Sequence, residues 1–394
     1  MTEPDSPIFE DQEPQPLHEA LSEYYEDKKE SEYVSLERLP GPGFFESVGW
    51  TFVAMISQVI GSIIAVIVIL IVYASASGIS ADQLQGKLRE PEFMKFLMTN
   101  YAGLNLGIIM GTFIVTILGI VLIRLGSHRR RAIPLQLPSS WHVLLTFLWV
   151  LPLSVLCGQL GMYAGVGWEM LAEQIPSIRG MDELNIMESI GEVIAGMPHW
   201  LVYLLIAVCP AVSEELLFRV LIGRGLVARH GVFVGVGLTT ILFAAVHLHP
   251  VHIIALLPLS VAIHVSYLAS RSIWTPMLAH FLNNSLAVSV VLNMDTDAAA
   301  DAAALEGFLP WWATLAAALL SLMIGWVYWQ SRLTWSDDDQ NTMPEPFVSA
   351  DRDKTDDAFQ LRWRYPPVQT LMALVFSMCF FVAAMAMFAQ QNAG

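Results

Sequence analysis

Charge is scarce in this chain. Of its 394 residues only 14% are Asp, Glu, Lys or Arg. A soluble globular domain carries about 25%, so an ordinary water-soluble enzyme is excluded. Positive charge is scarcer still: 20 Lys and Arg stand against 36 Asp and Glu, for a formal net charge of -16. Binding a polyanion requires basic surface, so no nucleic-acid partner is expected. Cysteine is nearly absent too. The three residues, Cys157, Cys209 and Cys379, lie far apart inside apolar runs and show no metal or redox spacing. They read as small buried hydrophobes. The early residues lack a basic start followed by an apolar core, so no secretory signal is expected and the first hydrophobic segment is read as a retained anchor.

What the chain does have is apolar length. Hydrophobic residues make up 55% of it, and the mean hydropathy is +0.54. A bilayer core takes about 20 apolar residues per helix. Such stretches fall near 48–73, 102–124, 141–163, 200–222, 231–250, 252–269, 274–294, 309–329 and 368–389. Pro250 and Pro258 interrupt the 231–269 stretch, so the expectation is an all-α, multi-pass transmembrane bundle of eight or nine helices. Residues 1–43 hold acids such as Glu10, Asp11, Glu26 and Asp27 with little apolar surface, and read as a disordered acidic tail. Transmembrane helices and loops occupy 44–194, a four-helix core 195–295, and further helices 296–394, with an acidic, solvated loop at 336–364.

The arginines set an orientation. Arg124, Arg129, Arg130, Arg131, Arg224, Arg229, Arg271, Arg332, Arg362 and Arg364 all fall on one side if the N-terminus is cytoplasmic, as the positive-inside rule expects. Lys87, Arg89 and Lys95, in the first outer loop, run against it.

An ionisable group at membrane depth is a functional hypothesis by default. From Leu201 to Met294 the only acids are Glu214 and Glu215. Arg219 follows Glu215 at i+4, the favourable order for an ion pair on one helix face. Glu214 is turned about 100° away and needs other partners. Phe243 and His247 form a second i, i+4 pair, with His249 and His252 close behind. His280 and Asn284 form a third, with Asn283 on a different face; His264 has no partner at helical spacing and reads as structural. Buried charges persist only when paired or used, which leaves two routes: a hydrolytic site or an ion pathway.

Glu214-Glu215-x-x-x-Arg219, Phe243-x-x-x-His247 and His280-x-x-x-Asn284 together resemble the CAAX prenyl protease and bacteriocin-processing family of intramembrane endopeptidases. The resemblance covers about residues 195–295. It implies that Glu214 and His247 activate a water, and that His280 and Asn284 stabilise the oxyanion. Glu215–Arg219 would then be the structural pair. The family is described both as metalloproteases and as metal-independent glutamate proteases. No His-Glu-x-x-His zinc pair exists here, yet Glu214, His247 and His280 would supply three ligands to a divalent metal such as zinc with one position open. The direct carboxylate route is preferred. The implied partners are the lipid bilayer and a peptide or protein substrate, membrane-associated or lipidated, and the implied location is a bacterial plasma membrane. The alternative is a proton- or ion-coupled transporter using the same Glu, His and Arg residues; a third reading is a catalytically idle immunity or scaffold protein.

Straight helices leave one difficulty. Glu214 and His280 fall on the cytoplasmic half of the bilayer and His247 beyond the midplane, a separation of about ten ångströms at 1.5 Å per residue. A shared site requires tilt, kinks or a re-entrant 231–252 segment.

Overall fold

In hydrocarbon every backbone N–H and C=O must find its partner within the segment, so long apolar runs become helices. Eight helices among the described residues are long and apolar enough to cross a membrane. They are α1 (Phe44–Ser77), α4 (Ala102–Leu125), α5 (Ser140–Gln174), α6 (His199–Ala245), α7 (Pro250–Ser270), α8 (Trp274–Asn293), α9 (Trp311–Gln330) and α10 (Val368–Gln391). Two short helices, α2 (Ala81–Lys87) and α3 (Pro91–Asn100), join α1 to α4. The chain is therefore an all-α integral membrane bundle. The computed structural model describes residues 41–126, 133–184, 191, 193–194, 196–293, 308–335, 361–363 and 365–391, within one unit, Pro40–Gly394.

Large apolar side chains face outward along the bundle, such as Ile123 at 77% exposed and Phe376 at 74%. In water such a surface would aggregate; here it is the lipid face. Cys379 belongs to that face and is exposed, which corrects the expectation of three buried cysteines; Cys157 is buried and Cys209 partly so. The outer helix α10 has little protein around it, so its small apolar residues meet lipid rather than core.

Inside, α1 packs along α4 and α5 along α7, while α9 bridges α5 and α10. One apolar cluster joins Phe113 and Ile117 of α4 to Phe218, Leu221 and Phe243 of α6 and Tyr267 of α7. A second joins Trp149 of α5 to Tyr328 of α9 and Phe381 of α10.

The two expected spans near 200–222 and 231–250 form one element with a sharp reversal. Gly231 sits at φ 75°, outside the helical region, a conformation that glycine adopts without steric cost. The chain folds back so tightly that a Cβ on Gly235 would stand 2.4 Å from the Val227 Cα. The returning arm ends at Ala245, too short at 1.5 Å per residue to cross a bilayer by itself.

The arginine-bearing ends gather at one end of the bundle. Arg124 pairs with Glu46, Arg229 Nη1 donates to the Pro42 carbonyl at 3.2 Å, and the Arg271 carbonyl accepts from Gln136. Gly41 and Pro42 are buried there, and a Cβ on Gly41 would meet the Gly225 Cα at 2.6 Å. Residues 41–43 are thus packed chain, which corrects the boundary of the expected tail; residues 1–40 lie outside the described residues. So do Arg129, Arg130, Arg131, Arg364, the 294–307 loop and residues 336–360. The expected 336–364 loop is not wholly irregular, because Leu361–Trp363 pairs antiparallel with Leu333–Trp335 as a two-stranded ribbon, β1–β2. Alternating Leu-Thr-Trp and Leu-Arg-Trp suits a strand period of two.

Candidate active site

The arm of α6 that carries Glu214 and Glu215 is not a regular helix. Tyr203–Val208 and Leu216–Gly223 are π-helical, and they bracket the short α-helical piece Cys209–Glu215. Pro210 has no N–H to donate and disturbs the ladder before it. Widened turns free backbone groups and re-aim side chains, and they recur at functional sites. One freed carbonyl, that of Ile206, accepts a hydrogen bond from Asn284 Nδ2 at 3.2 Å.

Glu215 is fully buried and doubly engaged. Its Oε2 lies 3.1 Å from Arg219 Nε, and its Oε1 lies 2.8 Å from His280 Nδ1. Arg219, also fully buried, donates from Nη2 to the Ser260 carbonyl at 3.2 Å and reaches Ser260 Oγ at 3.3 Å. Its guanidinium carbon stands 4.5 Å from the centre of the Phe243 ring, close enough for cation–π attraction. The i, i+4 ion pair read from the sequence is therefore present, and it extends across to α7 and α8. Ser260 gave no local signal, since it lies 41 residues from Arg219.

Glu214 differs from its neighbour in having no ion pair. It is half-buried, and its Oε2 is sheltered with no hydrogen-bond partner among the described residues. His247 is half-buried as well, and its Nδ1 has no partner there. Two such uncompensated polar groups are costly in a membrane interior.

Phe243 ties the three motifs together. Its ring centroid is 5.7 Å from that of His247 and 5.8 Å from that of His280. The His247 and His280 rings thus both stand against one phenylalanine, and the reversal at Gly231 and the π segments are where the chain departs from the straight helices of the expectation. His247 lies beyond the helix end: α6 stops at Ala245, and the His247 N–H donates to the Ala244 carbonyl at 3.1 Å in a tightened last turn. His280 and Asn284 are one turn apart on α8, and Asn283 beside them accepts from Ser154 of α5 at 2.9 Å. His264, read as structural, is fully buried on α7 with its ring 6.3 Å from that of Tyr267.

The residues do not suit a metal ion as they stand. No three His, Cys, Asp or Glu side chains among the described residues are grouped to hold one. His280 gives Nδ1 to Glu215, the contact that orients Nε2 of a metal-ligating histidine.

With this geometry in hand, comparison with known proteins is informative. Residues 196–286 match the family of type II CAAX prenyl endopeptidases, Rce1-like. The match covers under a quarter of the chain and contains all three motifs. It agrees with the CAAX-type resemblance read from the sequence. Over these residues, then, the chain is similar to CAAX-type membrane peptidases. No curated protein and no solved structure is significantly similar to it.

Proposed function

We propose that this protein is an intramembrane endopeptidase that hydrolyses a peptide bond of a membrane-associated or lipidated protein or peptide, using a water activated by Glu214. The observation that carries this reading is the contrast between adjacent glutamates: Glu215 is held by Arg219 and His280, and Glu214 Oε2 is left without a partner. A base must have a free lone pair near the proton it takes; of the two glutamates, Glu214 has neither an ion-pair nor a hydrogen-bond partner among the described residues.

In this scheme residues 195–295 form the catalytic core. Glu214 takes a proton from water as the water oxygen attacks the scissile carbonyl carbon, and His247 orients that water. The carbonyl oxygen, now negative, is met by His280 and Asn284. Because His280 Nδ1 is engaged with Glu215, Nε2 is the ring nitrogen left to meet the substrate. Asn284 uses one amide hydrogen on Ile206 and keeps the other for the oxyanion. The C–N bond then breaks as the proton held by Glu214 passes to the leaving amine.

The arginine-bearing end supports a cytoplasmic N-terminus in a bacterial inner membrane. The transport alternative has less support, since π-helical segments among the described residues occur in α6 alone and have no counterpart in another half.

The test is cleavage of a membrane-proteome peptide pool by the purified protein in detergent, beside Glu214→Ala and His247→Ala, each with and without a chelator. The expected result is cleavage by wild type that survives chelation and is lost in both variants. Loss of wild-type cleavage on chelation would replace the direct carboxylate route with a metal one. A folded wild type that cleaves nothing yet moves ions would favour the transporter.

A further inference from the structure

The turn that carries His247 is strained and is held from outside the proposed catalytic groups. Leu248 adopts a left-handed φ of 61°, uncommon for any residue but glycine. Its neighbour His249 donates its N–H to the His247 carbonyl at 2.6 Å and is 1% exposed. The His249 ring lies 5.2 Å from Trp168 of α5 at a steep angle of 68°. Its Nε2 stands 3.7 Å from Asp182 Oδ1, a close approach beyond hydrogen-bond reach, and that same oxygen accepts Trp168 Nε1 at 2.7 Å.

Asp182 belongs to the 3-10 helix Pro176–Leu184, which follows α5. A 3-10 run of nine residues is unusually long, and its hydrogen bonds are poorly aligned. Most of its described side chains are exposed, so side-chain anchors must hold it in place. Those anchors are Asp182 on Trp168 and Arg179, whose Nη2 meets Glu169 Oε2 at 3.1 Å and whose Nη1 lies 3.8 Å from Asp182. One carboxylate thus joins the strap, the end of α5 and the His247–His249 turn.

We propose that Asp182 and His249 are positioning residues for His247, with Pro176–Leu184 as a strap that keeps the left-handed turn in place. Released from Asp182, Leu248 relaxes out of its left-handed conformation and the His247 ring leaves Phe243, so the water-orienting nitrogen moves relative to Glu214. Displacements of about 1 Å at a reacting group cost up to roughly 10²-fold in rate. The strap's side-chain contacts are with Trp168, Glu169 and His249, none of them a proposed substrate-binding group, so the loss belongs in kcat.

This inference rests on the hydrolytic role of His247, and the experiment separates the two. Cleavage kinetics of the full chain in detergent are measured on the best-cleaved peptide of the pool for wild type, Asp182→Ala, Asp182→Asn, His249→Ala, the Asp182→Ala/His249→Ala double variant and His247→Ala. The expected results are a fall in kcat of about 10- to 100-fold for Asp182→Ala with KM and thermal stability little changed. Asp182→Asn, which still accepts from Trp168, recovers most of the rate. The double variant is no worse than the poorer single one, because both act through one contact. An inactive His247→Ala beside a fully active Asp182→Ala overturns the positioning role alone, as do losses that multiply in the double variant. An active His247→Ala overturns both readings. Should His249→Ala fail to fold, the Asp182 variants, on the partly exposed strap, decide the matter.

Discussion

Two halves of one site, separated by a single peptide bond, have opposite chemistries. On the Glu215 side every charge is matched: the carboxylate meets Arg219 and His280, and Arg219 meets Ser260 and the Phe243 ring. On the Glu214 side the carboxylate and His247 each keep a sheltered polar atom without a partner. The ion-paired half resembles a brace and the unpaired half a work surface. A membrane tolerates the second only because the first holds three helices in register around it.

Breaking the brace is expected to have the largest effect. Glu215→Gln leaves Arg219 buried without its counter-charge, a change that costs about 3–5 kcal/mol when one partner of a buried pair is removed. Thermal unfolding in detergent checks it, and a melting temperature equal to wild type would dissolve the distinction between the halves. Glu214→Gln sharpens the comparison from the other side. It keeps the fold and lowers kcat by about 10²–10⁴-fold, the contribution of a general base, read from cleavage rates at unchanged thermal stability.

Asn284→Ala probes the border between the halves, because this amide serves both the Ile206 carbonyl and the proposed oxyanion. A loss of about 10²–10³-fold in kcat is expected, as for removal of one oxyanion donor, together with a small drop in stability from the freed π-segment carbonyl. A stability loss with unchanged kcat would assign Asn284 to the brace alone. Chelation is expected to have the smallest effect, leaving the cleavage rate within error of the untreated enzyme.

Much of this was legible in the chain. Apolar runs of bilayer length predict the spans, and the i, i+4 spacing of Glu215 and Arg219 predicts their ion pair because it depends only on local helix geometry. Less legible was the reversal at Gly231. Glycines also stand at 235 and 237 in that stretch, and sequence does not say which of them takes the positive φ. Nor did spacing reveal that His247 lies past the helix end, or that Cys379 faces lipid, since both follow from where neighbouring helices stop and how closely they pack. Asp182 and Trp168 carried no signal at all. Their partnership with His249 spans an outer loop whose residues look like ordinary polar surface.

By itself the sequence determined that the chain crosses a membrane several times, that its only acids between Leu201 and Met294 are a glutamate pair, and that one of the two has an arginine on its own helix face. Composition and period suffice for these, because the bilayer and the α-helix impose fixed lengths and angles. The tertiary structure alone decided that Glu215 also takes His280, 65 residues away, and that Glu214 Oε2 is left without a hydrogen-bond partner. Such contacts depend on helix rotation, tilt and the extra backbone turn of a π segment, and these are set by packing between elements rather than by any residue's place in the chain.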